Sequence, residues 1–130
     1  MKGIDTHILV RYIVQDDHEQ SQRATHFLEK ECSVGSPAFI SGIILCELVW
    51  VLESAYKYSR EEIVSVLESI LRVRQFCIHE PDLLWRATQG YAQGADFADH
   101  YIIQLNHHHG CTTTVTFDKK ASKLSFIELL

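Results

Sequence analysis

Apolar residues recur along the chain at two spacings, which predict short strands alternating with amphipathic helices. The clearest helical face is central and consists of Leu45, Leu48, Val49, Leu52 and Tyr56. The predicted strands are Lys2–Asp5, Pro37–Ile40, Gln75–His79, Cys111–Thr116 and Ser125–Leu129. The other predicted helices are a stretch around Ile8–Ile13 and the segments His18–Glu31, Ser59–Leu71, Pro81–Gln93 and Asp96–His109. Such alternation is typical of an α/β fold with a mostly parallel sheet.

Residues at the predicted helix ends support these boundaries. Ser59 followed by Glu62 has the form of a capping box, and Pro81 suits the first turn of a helix. Gly94 and Gly110 stand where two of the predicted helices should end, because glycine readily adopts the left-handed conformation found there.

Length and composition predict one domain spanning 1–130. The chain has 130 residues, 46% of them hydrophobic, which is enough to bury a core without disulfides. We expect no signal peptide, and no apolar run reaches the roughly 20 residues that span a bilayer. The four cysteines have no paired spacing, which favours reduced thiols and a cytoplasmic location.

The formal net charge of −5 argues mildly against a general binder of polyanions, because nucleic-acid-binding domains are usually basic. It does not exclude an enzyme that concentrates acidic side chains at one site. The positions of the acids are therefore more informative than the total charge.

Four acids are placed so that they can face one edge of the predicted sheet. Asp5 follows the first strand and Asp118 follows the strand Cys111–Thr116, while Glu47 and Asp99 lie early in helices. Ligands of open parallel sheets bind outside the carboxyl ends of the strands. Oxygen-only ligands favour hard cations, so the pattern predicts Mg²⁺ or Mn²⁺.

Each of these acids also has a structural alternative. Asp5 and Asp118 would serve as caps of the helices that follow them, and Asp96 and Asp99 suit a helix N-terminus electrostatically. Glu47 flanks the apolar face of a core helix, where an unpaired buried carboxylate is costly, so a cation partner is expected for it.

Four segments carry a family resemblance across essentially the whole chain. In order, they are GIDTHILVRYI, ISGIILCELVWVLESAY, GADFADHYI and TVTFDKKASKL. Together they resemble the PIN-domain ribonucleases, and especially the VapC-like toxins of bacterial toxin–antitoxin pairs. The resemblance assigns catalytic and metal-binding roles to Asp5, Glu47, Asp99 and Asp118. It adds three supporting candidates: Asp96 as a further metal ligand, and Thr116 and Thr6 as residues that orient a carboxylate or a water.

The resemblance implies an α/β/α sandwich with a mostly parallel sheet and a Mg²⁺- or Mn²⁺-dependent endoribonuclease. It also implies an RNA substrate, a homodimer, and a cognate antitoxin whose peptide covers the active-site groove. One position departs from the family, which usually has Asn two residues after the first Asp, where this chain has His7. A catalytically degenerate PIN-like module that binds another protein is therefore the alternative.

Several other residues invite a functional interpretation. Arg11, Lys119 and Lys120 are candidate phosphate contacts, although a solvated surface charge is at least as common for such residues. The run His107–His109 does not favour zinc, because neighbours on a helix point about 100° apart. Trp50 and Trp85 could stack on RNA bases, but the apolar stripe beside Trp50 favours core or dimer packing. The cysteines are expected to be small buried hydrophobes.

Two other phosphate-handling folds fit less well. A phosphatase that forms an aspartyl-phosphate would carry a second Asp at position 7, which is His7 here. A receiver domain would carry a phosphoacceptor Asp after a middle strand, where Ser41 and Gly42 stand instead.

Overall fold

The computed structural model describes the whole chain, Met1–Leu130. The chain divides into two compact units, Met1–His79 and Glu80–Leu130. No helix in either unit is both long and apolar enough to cross a membrane.

The first unit contains a parallel sheet of three short strands. They are β1 (Lys2–Gly3), β2 (Ala38–Ile40) and β3 (Phe76–Ile78), in that spatial order. The helices of this unit are α1 (Thr6–Val14), α2 (His18–His26), α3 (Gly42–Ser54) and α4 (Arg60–Arg72). The last part of the predicted helix His18–Glu31 forms a π-helical segment, Phe27–Glu31.

The predicted apolar face of α3 lies in the core of this unit. The buried residues of that face are Leu45, Leu48, Val49 and Leu52. Tyr56 was predicted on the same face but lies beyond the end of the helix. Trp50, for which core or dimer packing was predicted, is 67% exposed, so its side chain does not lie in the core of this unit. Trp50 follows Val49 directly, so it points about 100° away from the buried direction.

The capping box predicted at the start of α4 is present. The Ser59 hydroxyl accepts a hydrogen bond from the Glu62 backbone N–H at 3.1 Å, and the Ser59 N–H donates to the Glu62 carboxylate at 2.9 Å. The hydrogen bonds from the Ser59 backbone N–H and from its side chain lower the pKa of Glu62. These bonds satisfy donors that the first turn of a helix otherwise leaves unpaired.

Replacing Ser59→Ala should lower the free energy of unfolding by about 1 kcal/mol, because it removes the acceptor for the Glu62 N–H. Urea unfolding at neutral pH measures the effect. Ser65→Ala, at an exposed position inside α4, is the matched control and should be neutral or slightly stabilising. Equal stabilities for the two variants would show that the cap does not contribute.

The second unit contains two long helices and a pair of short parallel strands. The helices are α5 (Pro81–Ala92) and α6 (Phe97–His108), and the strands are β4 (Thr114–Thr116) and β5 (Ile127–Leu129). Both predicted helix ends are confirmed, since Gly94 and Gly110 follow them with φ angles of 108° and 95°. Tyr91 of α5 packs edge-to-face on Phe97 of α6, with ring centroids 6.3 Å apart.

A close approach of α5 and α6 occurs at Gly90. A Cβ atom added at this position would overlap the ring of His100, whose Cγ would lie only 2.6 Å away. Gly90 is buried, so an added methyl could be accommodated only if the His100 ring moved aside. The side chain of His100 and the bare backbone of Gly90 are therefore a matched pair in the helix–helix contact.

The three consecutive histidines at the end of α6 lie in different surroundings. The ring of His107 stacks on Phe126 with centroids 4.1 Å apart, and His108 Nε2 lies 3.0 Å from a carboxylate oxygen of Glu80. His109 occupies the C-cap position of α6. This divergence follows from helical geometry, as predicted.

The four cysteines are free thiols in different environments. Cys32 is buried and Cys111 is exposed, while Cys46 and Cys77 are half-buried. Burial raises the pKa of Cys32, which keeps this thiol protonated and unreactive. The expectation that all four are buried is correct only for Cys32.

Candidate active site

Three of the acids singled out from the sequence lie in the second unit. Asp96 is the N-cap of α6, and its carboxylate accepts a hydrogen bond from the Asp99 backbone N–H at 2.9 Å. Asp99 lies in the first turn of that helix, and Asp118 follows β4. The capping alternative therefore describes Asp96 but not the side chain of Asp99.

Asp99 is the candidate acid whose pKa is clearly shifted. Its carboxyl is half-buried, and its pKa is raised first by that burial, then by the negative charges of Asp96 and Asp118. No positive charge or hydrogen-bond donor offsets these effects. The carboxyl of Asp99 therefore lies within electrostatic range of both Asp96 and Asp118. A group of carboxylates in this condition is stabilised by an added cation.

The turn after β4 is organised around Asp118. The Thr116 hydroxyl accepts a hydrogen bond from the Asp118 backbone N–H at 3.0 Å. One carboxylate oxygen of Asp118 accepts a bond from the Lys120 N–H at 2.8 Å and a longer one, 3.4 Å, from the Ala121 N–H. Thr116 thus fixes the backbone that carries the acid. Lys119 and Lys120 are exposed on the same turn.

The first unit carries the other two acids. Asp5 is exposed and is the N-cap of α1, with its carboxylate accepting a bond from the Thr6 N–H at 2.8 Å. Thr6 is 2% exposed and its hydroxyl has no partner, so it supports Asp5 through its backbone rather than its side chain. Strand β1 ends two residues before Asp5, earlier than predicted, although the Ile4 N–H still donates to the Phe39 carbonyl at 3.2 Å.

The argument from burial for a cation at Glu47 is wrong, because Glu47 is exposed. It lies on α3 between half-buried Cys46 and buried Leu48, and the helical rotation carries it outside the apolar face. Its assignment therefore depends on the family resemblance alone and not on a desolvation penalty.

Arg11 is engaged within the first unit and is a poor phosphate contact. Its guanidinium lies 3.2 Å from Asp16 and donates to Gln20 and to the hydroxyl of Tyr56, at 2.7 Å and 3.2 Å. The hydroxyl of Tyr56 in turn donates to Asp16 at 2.7 Å. Hydrogen bonding to Tyr56 is the main reason that the pKa of Asp16 is lowered. The sequence pattern did not indicate these contacts among Arg11, Asp16 and Tyr56.

The candidate ligands fit a hard divalent cation in type, although no group of three His, Cys, Asp or Glu side chains is arranged to hold an ion. The carboxylates of Asp5, Asp96 and Asp118 accept hydrogen bonds from nearby backbone N–H groups. The donor set is all oxygen, which suits Mg²⁺ or Mn²⁺ and does not suit zinc.

Sequence reasoning missed two features beside the acids. His100, next to Asp99, packs on Gly90 with its Nδ1 buried and unpaired, and burial lowers its pKa. His7 lines a large groove along α1 and α2, together with several cations. The four-residue spacing of His7 and Arg11 places them on one helix face, a signal that was available in the sequence.

Comparison with known proteins places the chain in a family. The model of the PIN domain matches residues 3–127. The VapC ribonuclease of Aquifex aeolicus (strain VF5) is 29% identical over 128 residues, which cover 97% of this chain and 93% of that protein. No solved structure matches the chain significantly. The predicted α/β class with parallel strands, of the PIN-like α/β/α type, is confirmed, and the chain belongs to the PIN domain family.

Proposed function

We propose that this protein is a Mg²⁺- or Mn²⁺-dependent endoribonuclease that hydrolyses RNA phosphodiester bonds. The observation that carries the proposal is the state of Asp99, whose carboxyl is held among other acids with no compensating positive charge. Burial and neighbouring negative charges disfavour the ionised form of this carboxyl, and a bound divalent cation would offset both effects. Residues with such shifted pKa values often lie at functional sites. The similarity to a VapC ribonuclease supports RNA as the substrate.

Asp5, Glu47, Asp99 and Asp118 are the proposed metal-binding and catalytic residues, with Asp96 as an auxiliary ligand. A bound divalent cation would supply an activated water and charge stabilisation at the scissile phosphate. Thr116 holds the backbone of Asp118 in place through its 3.0 Å hydrogen bond, so it acts as a positioning residue. Lys119 and Lys120, exposed on the same turn, are weaker candidates for contact with phosphate.

We further propose that the protein is the toxin of a toxin–antitoxin pair, working in the cytoplasm as one PIN domain that spans 1–130. The similarity to a VapC protein supports a cognate antitoxin as partner. A homodimer is supported by exposed apolar side chains on α3, where Ile43 and Trp50 are each 67% exposed. Exposed apolar residues on one helix face favour contact with another protein surface.

A catalytically degenerate protein-binding module is the second candidate, and one residue favours it. His7 stands where the family usually has Asn, immediately beyond the Asp5–Thr6 cap of α1. If the larger ring disrupted the site, the acids would remain without activity. The variant His7→Asn separates the two candidates, since it would create activity only in a degenerate site.

The proposed function predicts EDTA-sensitive cleavage of RNA at a few sites. Purified protein is incubated with total tRNA and rRNA in Mg²⁺ or Mn²⁺, and the products are separated on a denaturing gel. Asp5→Asn should lose cleavage, whereas Asp82→Asn, which changes an exposed acid in the first turn of α5, should retain it. Cleavage that survives in EDTA or in Asp5→Asn would contradict the proposal.

A further inference from the structure

A groove of about 750 Å³ runs along α1 and α2 in the first unit. Its wall includes Lys2 from β1, His7 from α1, and Arg23 and His26 from α2. The two α2 residues are three positions apart, so they lie on one face of that helix. The groove is thus bordered on both sides by basic side chains.

The charge of this groove is opposite to that of the chain. The protein has a formal net charge of −5, yet the groove is lined by three cations and two histidines against one acid, Glu31. One of the three cations, Arg11, is already held by Asp16. Lys2 and Arg23 are the cations that can bind an anionic ligand, because the only ion pair of Arg23 is an exposed 3.9 Å contact with Glu19. Such a pair is weak and easily exchanged.

The lining of the groove also includes apolar side chains and an aromatic ring. They belong to Ile8, Ala24 and Phe27. The ammonium of Lys2 lies 5.8 Å from the centroid of the Phe27 ring, so a cation stands directly over an aromatic surface. Cationic walls combined with ring faces are the usual means of binding a single nucleic-acid strand.

We propose that this groove binds single-stranded RNA flanking the cleavage site, with Lys2 and Arg23 contacting phosphates and Phe27 offering a ring face to a base. The inference rests on the proposed function, because it names the surface that holds the same substrate. His7 links the groove to the proposed site, since it follows Asp5 and Thr6 at the start of α1 and lines the groove. An RNA strand is favoured over an acidic peptide because the groove holds an aromatic ring, Phe27, next to the ammonium of Lys2, and a base can stack on the face of the ring that Lys2 does not cover.

Binding is measured by fluorescence anisotropy with a short, labelled, 2′-O-methylated single-stranded RNA in EDTA, so that neither metal nor cleavage is required. The double variant Lys2→Gln/Arg23→Gln should bind about tenfold more weakly at low salt. Its plot of log affinity against log salt should be shallower by about 0.7 for each lost phosphate contact. Arg74→Gln, an exposed cation in the turn before β3 and outside the groove, is the matched control and should bind like the wild type.

The remaining outcomes separate this inference from the proposed function. Lys2→Arg, which retains the charge, should bind like the wild type, and melting curves verify that each variant is folded. Equal binding by the double variant and the wild type would overturn the groove assignment while leaving cleavage untouched. Loss of binding to a polyglutamate peptide with unchanged RNA binding would also overturn it and assign the groove to an acidic protein partner. Groove-dependent binding without any cleavage would support the groove and contradict the nuclease.

Discussion

Asp99→Asn should reduce RNA cleavage by more than about a hundredfold. Loss of a residue that merely supports a metal ligand commonly costs ten- to a hundredfold, and Asp99 is proposed as a direct ligand. Asn keeps the size of the side chain and removes the negative charge that the cation requires. The measurement is the initial cleavage rate of a labelled RNA in Mg²⁺, with Asp82→Asn as the control.

The same variant should be more stable than the wild type at neutral pH without metal. Burial and the charges of Asp96 and Asp118 raise the pKa of Asp99. A raised pKa means that the folded state binds the proton more tightly, so the wild type loses stability as pH rises through the range between the ordinary Asp value and the raised one. Asn carries no charge and escapes this loss.

Thermal melting in EDTA across a pH series tests whether Asp99→Asn is more stable than the wild type. The advantage of Asp99→Asn over the wild type should be present at pH 7, should shrink as pH falls through the raised pKa of Asp99, and should be absent below about pH 4, where Asp is protonated in both states. Mg²⁺ should then raise the melting temperature of the wild type and leave that of the variant nearly unchanged. A variant less stable than the wild type at pH 7 in EDTA would contradict the electrostatic account of Asp99.

Gly90→Ala should destabilise the protein by about 1–3 kcal/mol, the usual cost of overpacking. In a helix without close neighbours, the change would instead stabilise by up to about 1 kcal/mol, because Ala is the better helix former. The new methyl would overlap the His100 ring, which is packed between α5 and α6. The sign of the effect therefore reports the close approach directly.

A double-mutant cycle assigns that cost to one contact. Gly90→Ala combined with His100→Ala should cost less than the sum of the single changes, since the smaller side chain leaves room for the methyl. Gly3→Ala is the matched control, because a Cβ there meets nothing within 4 Å. Urea unfolding measures all four proteins, and strict additivity would show that the His100 ring does not oppose the added methyl.

Much of the fold could be predicted because its signals are local. The apolar spacing of α3, the Ser59–Glu62 box and the glycines after α5 and α6 each act within a few residues, and each is present as predicted. The parallel pairing of β1, β2 and β3 followed from the alternation of strands and helices. The exact end of β1 was not foreseeable, because the apolar pattern does not distinguish the last paired residue of the strand from the extended Asp5 that caps α1.

The contacts of the candidate site residues could not be predicted from the sequence. The position of Glu47 next to buried Leu48 suggested burial, yet a rotation of one residue on α3 leaves it exposed. Trp50 lies outside the core for the same reason. The Arg11–Asp16–Tyr56 cluster joins residues up to 45 positions apart, and no periodic pattern encodes such a contact.

The electrostatic state of Asp99 also depends on tertiary structure. Its nearness to Asp96 is local, but the influence of Asp118 requires the turn after β4 to come close to the first turn of α6. The acids were expected to converge because they follow or lie near strand ends. That expectation comes from a rule about sheets and not about particular side chains. Whether these acids form the active site stays a prediction.

The most direct test of the account is the chemistry of the cleaved RNA ends. A labelled RNA is cut in Mg²⁺ in water enriched in heavy oxygen, and the products are analysed by mass spectrometry. If water activated at the acidic site is the nucleophile, one heavy oxygen atom enters the new terminal phosphate, and EDTA abolishes the reaction. Products that end in a 2′,3′-cyclic phosphate, formed without added oxygen and in the presence of EDTA, would contradict a metal-dependent nuclease.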